Sequence, residues 1–96
     1  MTQRLLKDYE YYLKIERNMS PNTVQAYCSD VEDFLHVSSS DAVSAGSAEI
    51  VSYLSSRSSD VTKRSQAREL SALKSFFSWL IMEGVRKDNP CDSIDS

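Results

Sequence analysis

Placed at about 100° per residue, the stretch from Ser65 to Trp79 and its flanks separates into two faces. Ala67, Leu70, Leu73, Phe76, Phe77, Leu80 and Ile81 form one broad apolar stripe, whereas Arg64, Arg68, Ser71 and Ser75 follow the opposite side. This spacing predicts a long helix capped by Ser59 or Asp60, reaching Met82 or Glu83, with Gly84 just past its end in a left-handed conformation. The same rhythm recurs upstream. Leu5, Leu6, Tyr9, Tyr12 and Leu13, continued by Glu16, predict a first helix from about Thr2 to Arg17, with Arg4 near Asp8 and Lys7 near Glu10 on its outer face. Asn18 to Pro21 interrupt it, and Ser20 is placed to cap a second helix whose first residue is Pro21. Val24, Tyr27, Cys28, Val31, Phe34 and Leu35 form the apolar stripe of that helix, which ends near His36. The Ser-rich stretch 37–46 reads as a connection, and Ser47 as the cap of a short helix from Ala48 to about Ser56, with Ile50, Val51, Tyr53 and Leu54 facing inward. Asn89-Pro90 disfavours helix in the tail.

Four helices without a strand signal predict an all-α domain, a four-helix orthogonal bundle whose core draws on all four stripes. Composition agrees. Ninety-six residues suit a single domain over 1–96, and two Gly with two Pro leave little material for hairpins. No apolar run approaches the roughly 18 residues of a membrane span, and Met1 to Arg17 carries interspersed charges where a signal peptide would be continuously apolar. A cytoplasmic protein with no membrane partner is expected.

Candidate chemistry is sparse. Cys28 and Cys91 form no C-x-x-C pair and have no neighbouring His, so neither a disulfide framework nor a metal site is indicated. Cys28 reads as a small apolar residue and Cys91 as a free thiol in a polar tail. His36, the single histidine, falls at a helix end where a cation suits the dipole. Most of the tyrosines fall on apolar faces, with their hydroxyls at the rim. No Ser/His/Asp set, carboxylate pair or phosphate-cradling glycine loop is present, so no catalytic residue, cofactor or metal is assigned.

Net charge is −3, the wrong sign for a freestanding nucleic-acid binder, so its distribution matters more than its sum. Residues 18–60 carry Asp30, Glu32, Asp33, Asp41, Glu49 and Asp60 against Arg57 alone. Residues 61–82 carry Lys63, Arg64, Arg68 and Lys74 against Glu69 alone. Positive charge is thus concentrated on the last long helix, an arrangement that suits phosphate but also fits an ordinary solvated face.

Three phrases, in this order and spacing, carry a family resemblance: LLKDYEYYLKIERNMSPNTVQAYCSDVEDFL, AEIVSYLSSR and SQARELSALKSFFSWLIMEGVRKDNP. The sharpest parts are Ser20-Pro21-Asn22-Thr23 followed by Tyr27, then Leu70-Ser71-Ala72-Leu73 followed by Phe76-Phe77 and Asn89-Pro90. Together they resemble the N-terminal core-binding domain of tyrosine recombinases of the phage-integrase and Xer type. The resemblance implies a SAM-like helical domain that forms half of a clamp around duplex DNA. A larger C-terminal domain, which supplies the tyrosine nucleophile, is absent from this chain. The fragment is then not an enzyme by itself, and its parent is a site-specific recombinase for DNA integration or for resolving chromosome multimers.

The resemblance also assigns roles. Asn22 and Thr23 match positions that meet the phosphate backbone, Gln25 and Ala26 adjoining groove-facing positions, and Arg64, Ser65 and Arg68 groove and phosphate contacts. Ser71, Ala72 and Ser75 continue that face, with Lys63 and Lys74 supplying general attraction from its flank. Helix one, with Lys7, Tyr11 and Lys14, resembles the surface by which protomers meet in the recombining synaptic tetramer, while the isolated domain is expected to be monomeric. Met1 lies close before the first helix, as in the Xer branch, and the chain stops where the family's interdomain linker begins. Alternatives stay open: Ser20 and Thr23 as mere caps, and Arg68 as a partner for acids four residues away. Helix two departs from many relatives by carrying Asp30, Glu32 and Asp33 where they have arginines. The rival for the whole chain is a non-enzymatic helical protein-interaction module. A helix-turn-helix repressor fits less well, because the connection before the last helix lacks a tight glycine turn.

Overall fold

The computed structural model describes residues 2–39 and 41–94; the expectation attached to Met1 lies outside them. Among the described residues the chain is all-helical. Helix α1 (Thr2–Tyr11) runs into a π-helical turn (Tyr12–Glu16), followed by α2 (Pro21–Val37), α3 (Ser47–Arg57) and α4 (Lys63–Met82). The turn is wider by one residue than an α-helical ending: Arg17 N–H reaches Tyr12 O at 3.0 Å, and Met19 N–H reaches Leu13 O at 3.0 Å. Asn18, at φ +52°, reverses the chain, and Met19 packs back against the core.

Caps set the remaining boundaries. Ser20 Oγ accepts from Thr23 N–H at 3.3 Å, so α2 begins where its sequence says it should. Helix α3 is capped by Gly46 rather than Ser47, because Gly46 N–H donates to the Glu49 carboxylate at 3.3 Å, half of a capping box that a start at Ser47 would not make. Helix α4 is capped by Thr62, whose Oγ1 accepts from Ser65 N–H at 3.1 Å. Ser59 and Asp60 instead belong to the turn that closes α3, where Asp60 N–H meets Arg57 O at 2.9 Å. At the other end of α4, Gly84 adopts φ +76°. Its N–H bonds Ile81 O at 3.0 Å and Val85 N–H bonds Leu80 O at 2.9 Å, a Schellman ending closed by Val85 packing on the core.

The core is built on α4. Leu70, Ala72, Leu73, Phe76, Phe77, Trp79 and Leu80 are buried, and α2 makes the most extensive contact with this helix. The buried arc differs from the expected one. Ala67 and Ile81 are exposed, whereas Ala72 and Trp79 are buried, because α1 covers that side: Tyr9 lies 5.2 Å from Phe76, edge-on, and 5.5 Å from Trp79. Phe34 of α2 joins Phe77 at 6.5 Å and Tyr53 of α3 at 5.4 Å, extending the aromatic array across all four α-helices. Val51, expected inside, faces out.

The tail is not a free end. Arg86 is buried to 6% side-chain exposure, with Nη1 donating to Ala45 O at 2.6 Å and Ala42 O at 3.2 Å and its guanidinium 5.0 Å above the Phe77 ring. It ties the connection between α2 and α3 to the end of α4. Asn89 Nδ2 donates to Lys74 O at 3.1 Å and Ser78 Oγ at 3.0 Å, while its Oδ1 accepts from Cys91 N–H at 2.9 Å. Cys91 is consequently a core residue and not a polar-tail thiol, and burial pushes its pKa up to about 11. No helix of the described residues is long and apolar enough to cross a membrane.

Arg86→Ala is expected to cost about 2–4 kcal/mol, since two buried carbonyl bonds and a ring contact are lost together. Arg86→Lys should recover only part of this, because one ammonium lacks the planar guanidinium that reaches both carbonyls and Asp88 while lying over the Phe77 ring. Unchanged urea midpoints for both would contradict that role. Ser39, at φ +54° after α2, holds a conformation that disfavours a side chain. Ser39→Gly should therefore stabilise the fold by about 0.5 kcal/mol, seen as a rise of a few degrees in melting temperature.

Candidate nucleic-acid interface

The residues expected at phosphate start with two helix N-termini, and both are self-capped. Ser20 Oγ is bonded to Thr23 Oγ1 at 2.9 Å as well as to Thr23 N–H, and Thr62 Oγ1 donates to Ser65 Oγ at 3.1 Å. The capping role of Ser20 is thus real, and the polar groups of Thr23 and Ser65 are already engaged. Pro21 has no N–H, which leaves Asn22 N–H as the unpartnered first-turn amide of α2 among the described residues. The capacity of this helix start for an anion is correspondingly narrow.

Two arginines and two buried carboxylates decide which cations remain free. Arg68 Nε and Nη2 donate to Asp30 Oδ2 and Oδ1 at 2.8 and 2.9 Å, a fork between α4 and α2. Asp30 is only 6% exposed while Arg68 is 44% exposed. One step along α4, Glu69 is almost wholly buried, and its Oε2 accepts from Arg57 Nε at 3.2 Å and Nη2 at 2.7 Å. Arg57 also lies 5.2 Å above the Tyr53 ring, and burial raises the Tyr53 phenol to about 12. The hydrogen bonds to Asp30 and Glu69 raise the pKa of each arginine above its ordinary value. Arg68 therefore pairs across helices, not along its own.

Counting along the chain sets Asp30 among the acids of residues 18–60 and Glu69 against the cations of residues 61–82; the structure buries both. A signal for Glu69 exists in the spacing, because Glu69, Ala72, Leu73, Phe76 and Leu80 fall at i, i+3, i+4, i+7 and i+11. An acid in the middle of an apolar arc calls for a basic partner, and Arg57 is the one that the α3–α4 packing supplies.

The rest of the expected face is divided. Ala72 is buried, and Ser75 is half-buried with its Oγ accepting from the Tyr9 hydroxyl at 2.9 Å. Gln25 lies about 140° around α2 from Asp30, lining a groove against α1 with Gln3, Lys7, Glu10 and Glu32. Ala26 is half-buried and Asn22 exposed. Lys63, Arg64 and Ser71 are exposed and Lys74 half-exposed, and among the described residues no acid pairs with Lys63, Arg64 or Lys74. Ala67 and Ser78 complete this outer face of α4. With Glu69 turned inward, it holds no acid from Lys63 to Met82. Among the described residues no cluster of His, Cys, Asp and Glu is placed to hold a metal.

Comparison with known proteins bears on what such a face serves. Residues 6–84 match the family described as phage integrase, N-terminal SAM-like domain. The chain belongs to that family. Its SAM-like domain is 33% identical over 93 residues to a tyrosine recombinase XerC of Leptospira interrogans, covering 92% of this chain and 30% of that protein. It is 38% identical over 88 residues to a tyrosine recombinase XerD of Rhizobium meliloti, covering 88% and 28%. A tyrosine recombinase of Pseudothermotoga lettingae is 31% identical over 98 residues, covering 96% and 34%. The SAM-like domain thus spans about a third of the length of these relatives. No solved structure matches it.

Arg68→Ala would leave the Asp30 carboxylate buried without its partner and is expected to cost about 1–3 kcal/mol. Arg64→Ala, by contrast, should stay within about 0.5 kcal/mol of the parent. Urea titrations of the two variants separate these roles, and equal midpoints would show that the fork to Asp30 carries no stability.

Proposed function

We propose that this chain is the duplex-clamping domain of a site-specific tyrosine recombinase, meeting the DNA backbone through the outer face of α4 beside the start of α2. The observation that carries this reading is the acid-free face of α4. Lys63, Arg64 and Lys74 are spaced along it without ion-pair partners, and Ala67, Ser71 and Ser78 between them are small enough to admit a phosphate chain. Asn22, with its unpartnered amide, is the best placed of the α2 residues to add a phosphate contact. Thr23, Ala26, Ser65 and Ser75 then act mainly by shaping the helix starts and the packing beneath, and Gln25 faces away from this surface.

In the parent protein, a second domain would supply the tyrosine that attacks the scissile phosphate, for integration or for resolving chromosome multimers in the cytoplasm. Other protomers would complete a synaptic tetramer. Tyr11 at the end of α1 and Ile15 in the π-helical turn after it, both about 60% exposed, support this first helical segment as the surface they touch. The single domain is monomeric on this reading.

Two or three phosphate contacts give a log–log salt slope of about −2 to −3, so the fragment binds duplex weakly and only at low ionic strength. Lys63→Ala with Arg64→Ala is expected to flatten that slope by about 1.8 and to weaken binding at 50 mM salt more than tenfold. Fluorescence anisotropy with a labelled duplex reads both quantities. Equal binding by the double variant and the parent would contradict the assignment of this face.

A further inference from the structure

Arg68 lies at the edge of the proposed DNA face, one turn from Arg64 and from Ser71, yet its charge is already matched. The Nε and Nη2 edge of its guanidinium is occupied by both carboxylate oxygens of Asp30, at 2.8 and 2.9 Å. That edge is one with which an arginine takes a phosphate in bidentate fashion. Asp30 is an oxygen pair from inside the protein where a phosphate would otherwise sit. Because it is 6% exposed, release of Arg68 would strand a carboxylate in the interior, whereas Arg68 itself, at 44%, faces solvent, so the cost of separation falls mainly on Asp30. Asp33 is exposed one turn along α2, and the Arg57–Glu69 pair beside it adds no net charge.

We infer that Asp30 is an affinity-setting residue: it holds Arg68 off the DNA backbone and keeps the phosphate contacts of this domain one short. The inference rests on the DNA-binding reading above and deepens it. In the parent, Arg68 stays on Asp30 when duplex binds and releases no counterion. Neutralising Asp30 frees the guanidinium to reach a phosphate, so an interaction inside the protein limits its grip on DNA.

The test compares Asp30→Asn with Asp33→Asn, which removes the same charge from an exposed position of the same helix. Both are measured by duplex anisotropy from 20 to about 150 mM salt, a range over which screening distinguishes contact from distant attraction. Asp30→Asn is expected to steepen the salt slope by about 0.9 and to tighten binding about tenfold at 50 mM salt. Asp33→Asn should leave the slope unchanged, and Asp30→Asn with Arg68→Gln should return it to the parent value. Equal slopes for Asp30→Asn and Asp33→Asn, or a weaker Asp30→Asn, would overturn the inference while leaving the DNA reading intact. Absence of binding by the parent and every variant at 20 mM salt would overturn the DNA reading itself, and the inference with it.

Should Asp30→Asn fail to fold, the parent decides alone. The Arg68 Nε–H resonance of the 96-residue chain is expected to stay unmoved as duplex is added. A large displacement at saturation, marking exchange of Asp30 for phosphate, would overturn the inference.

Discussion

Among the described residues, the carboxylates of Asp30 and Glu69 lie inside this helical domain, and each is met by an arginine. A buried anion without a counterion costs several kcal/mol, so Asp30 and Glu69 fix the positions of Arg68 and Arg57 as firmly as the aromatic rings fix the helices. The two pairs bridge α2 to α4 and α3 to α4, alongside the Phe34–Phe77 and Phe34–Tyr53 contacts that carry the apolar part of the same interfaces. Which basic residues are left for a partner follows from this pairing. Arg57 and Arg68 are occupied, and on α4 Lys63, Arg64 and Lys74 remain, while among the described residues Arg4, Lys7 and Lys87 are unpaired elsewhere on the surface.

Helix α4 illustrates what periodicity can and cannot disclose. Its length, its apolar face and the glycine that ends it were readable, because each follows from local spacing and from the backbone freedom of a single residue. The exact rotation of the buried arc was not. It is set by α1, whose Tyr9 covers Ser75 and Trp79, and no rule acting within α4 foresees a neighbour contributed from 66 residues away. The same limit applies to charge. Counting along the chain placed Arg68 on an open basic row and Glu69 beside it, but the Asp30 partner comes from a separation of 38 residues. Cap positions failed for a gentler reason: Ser59, Asp60 and Thr62 are all competent caps, and the choice fell to the residue left after the closing turn of α3 had used the others.

On the proposed reading, this domain has only a modest hold on DNA. The chain is acidic overall, and its helix starts spend their hydrogen-bonding groups on their own caps. On α4, a narrow stripe of unpaired cations remains to face a polyanion. On the same reading, weak binding by this domain suits a parent protein that would close around DNA with a second domain, because affinity would then come from simultaneous engagement and not from either half alone. Arg86, Asn89 and Cys91 hold the tail against the body as far as Ile94.

The most direct test of the central claim, that the outer face of α4 is the surface that meets DNA, is an amide chemical-shift map of the isotope-labelled chain titrated with duplex at low salt. The account predicts the largest shifts along Lys63, Arg64, Ala67, Ser71 and Ser78, with a smaller set at Asn22. Shifts centred on Tyr11 and Ile15, or none at any position, would contradict it.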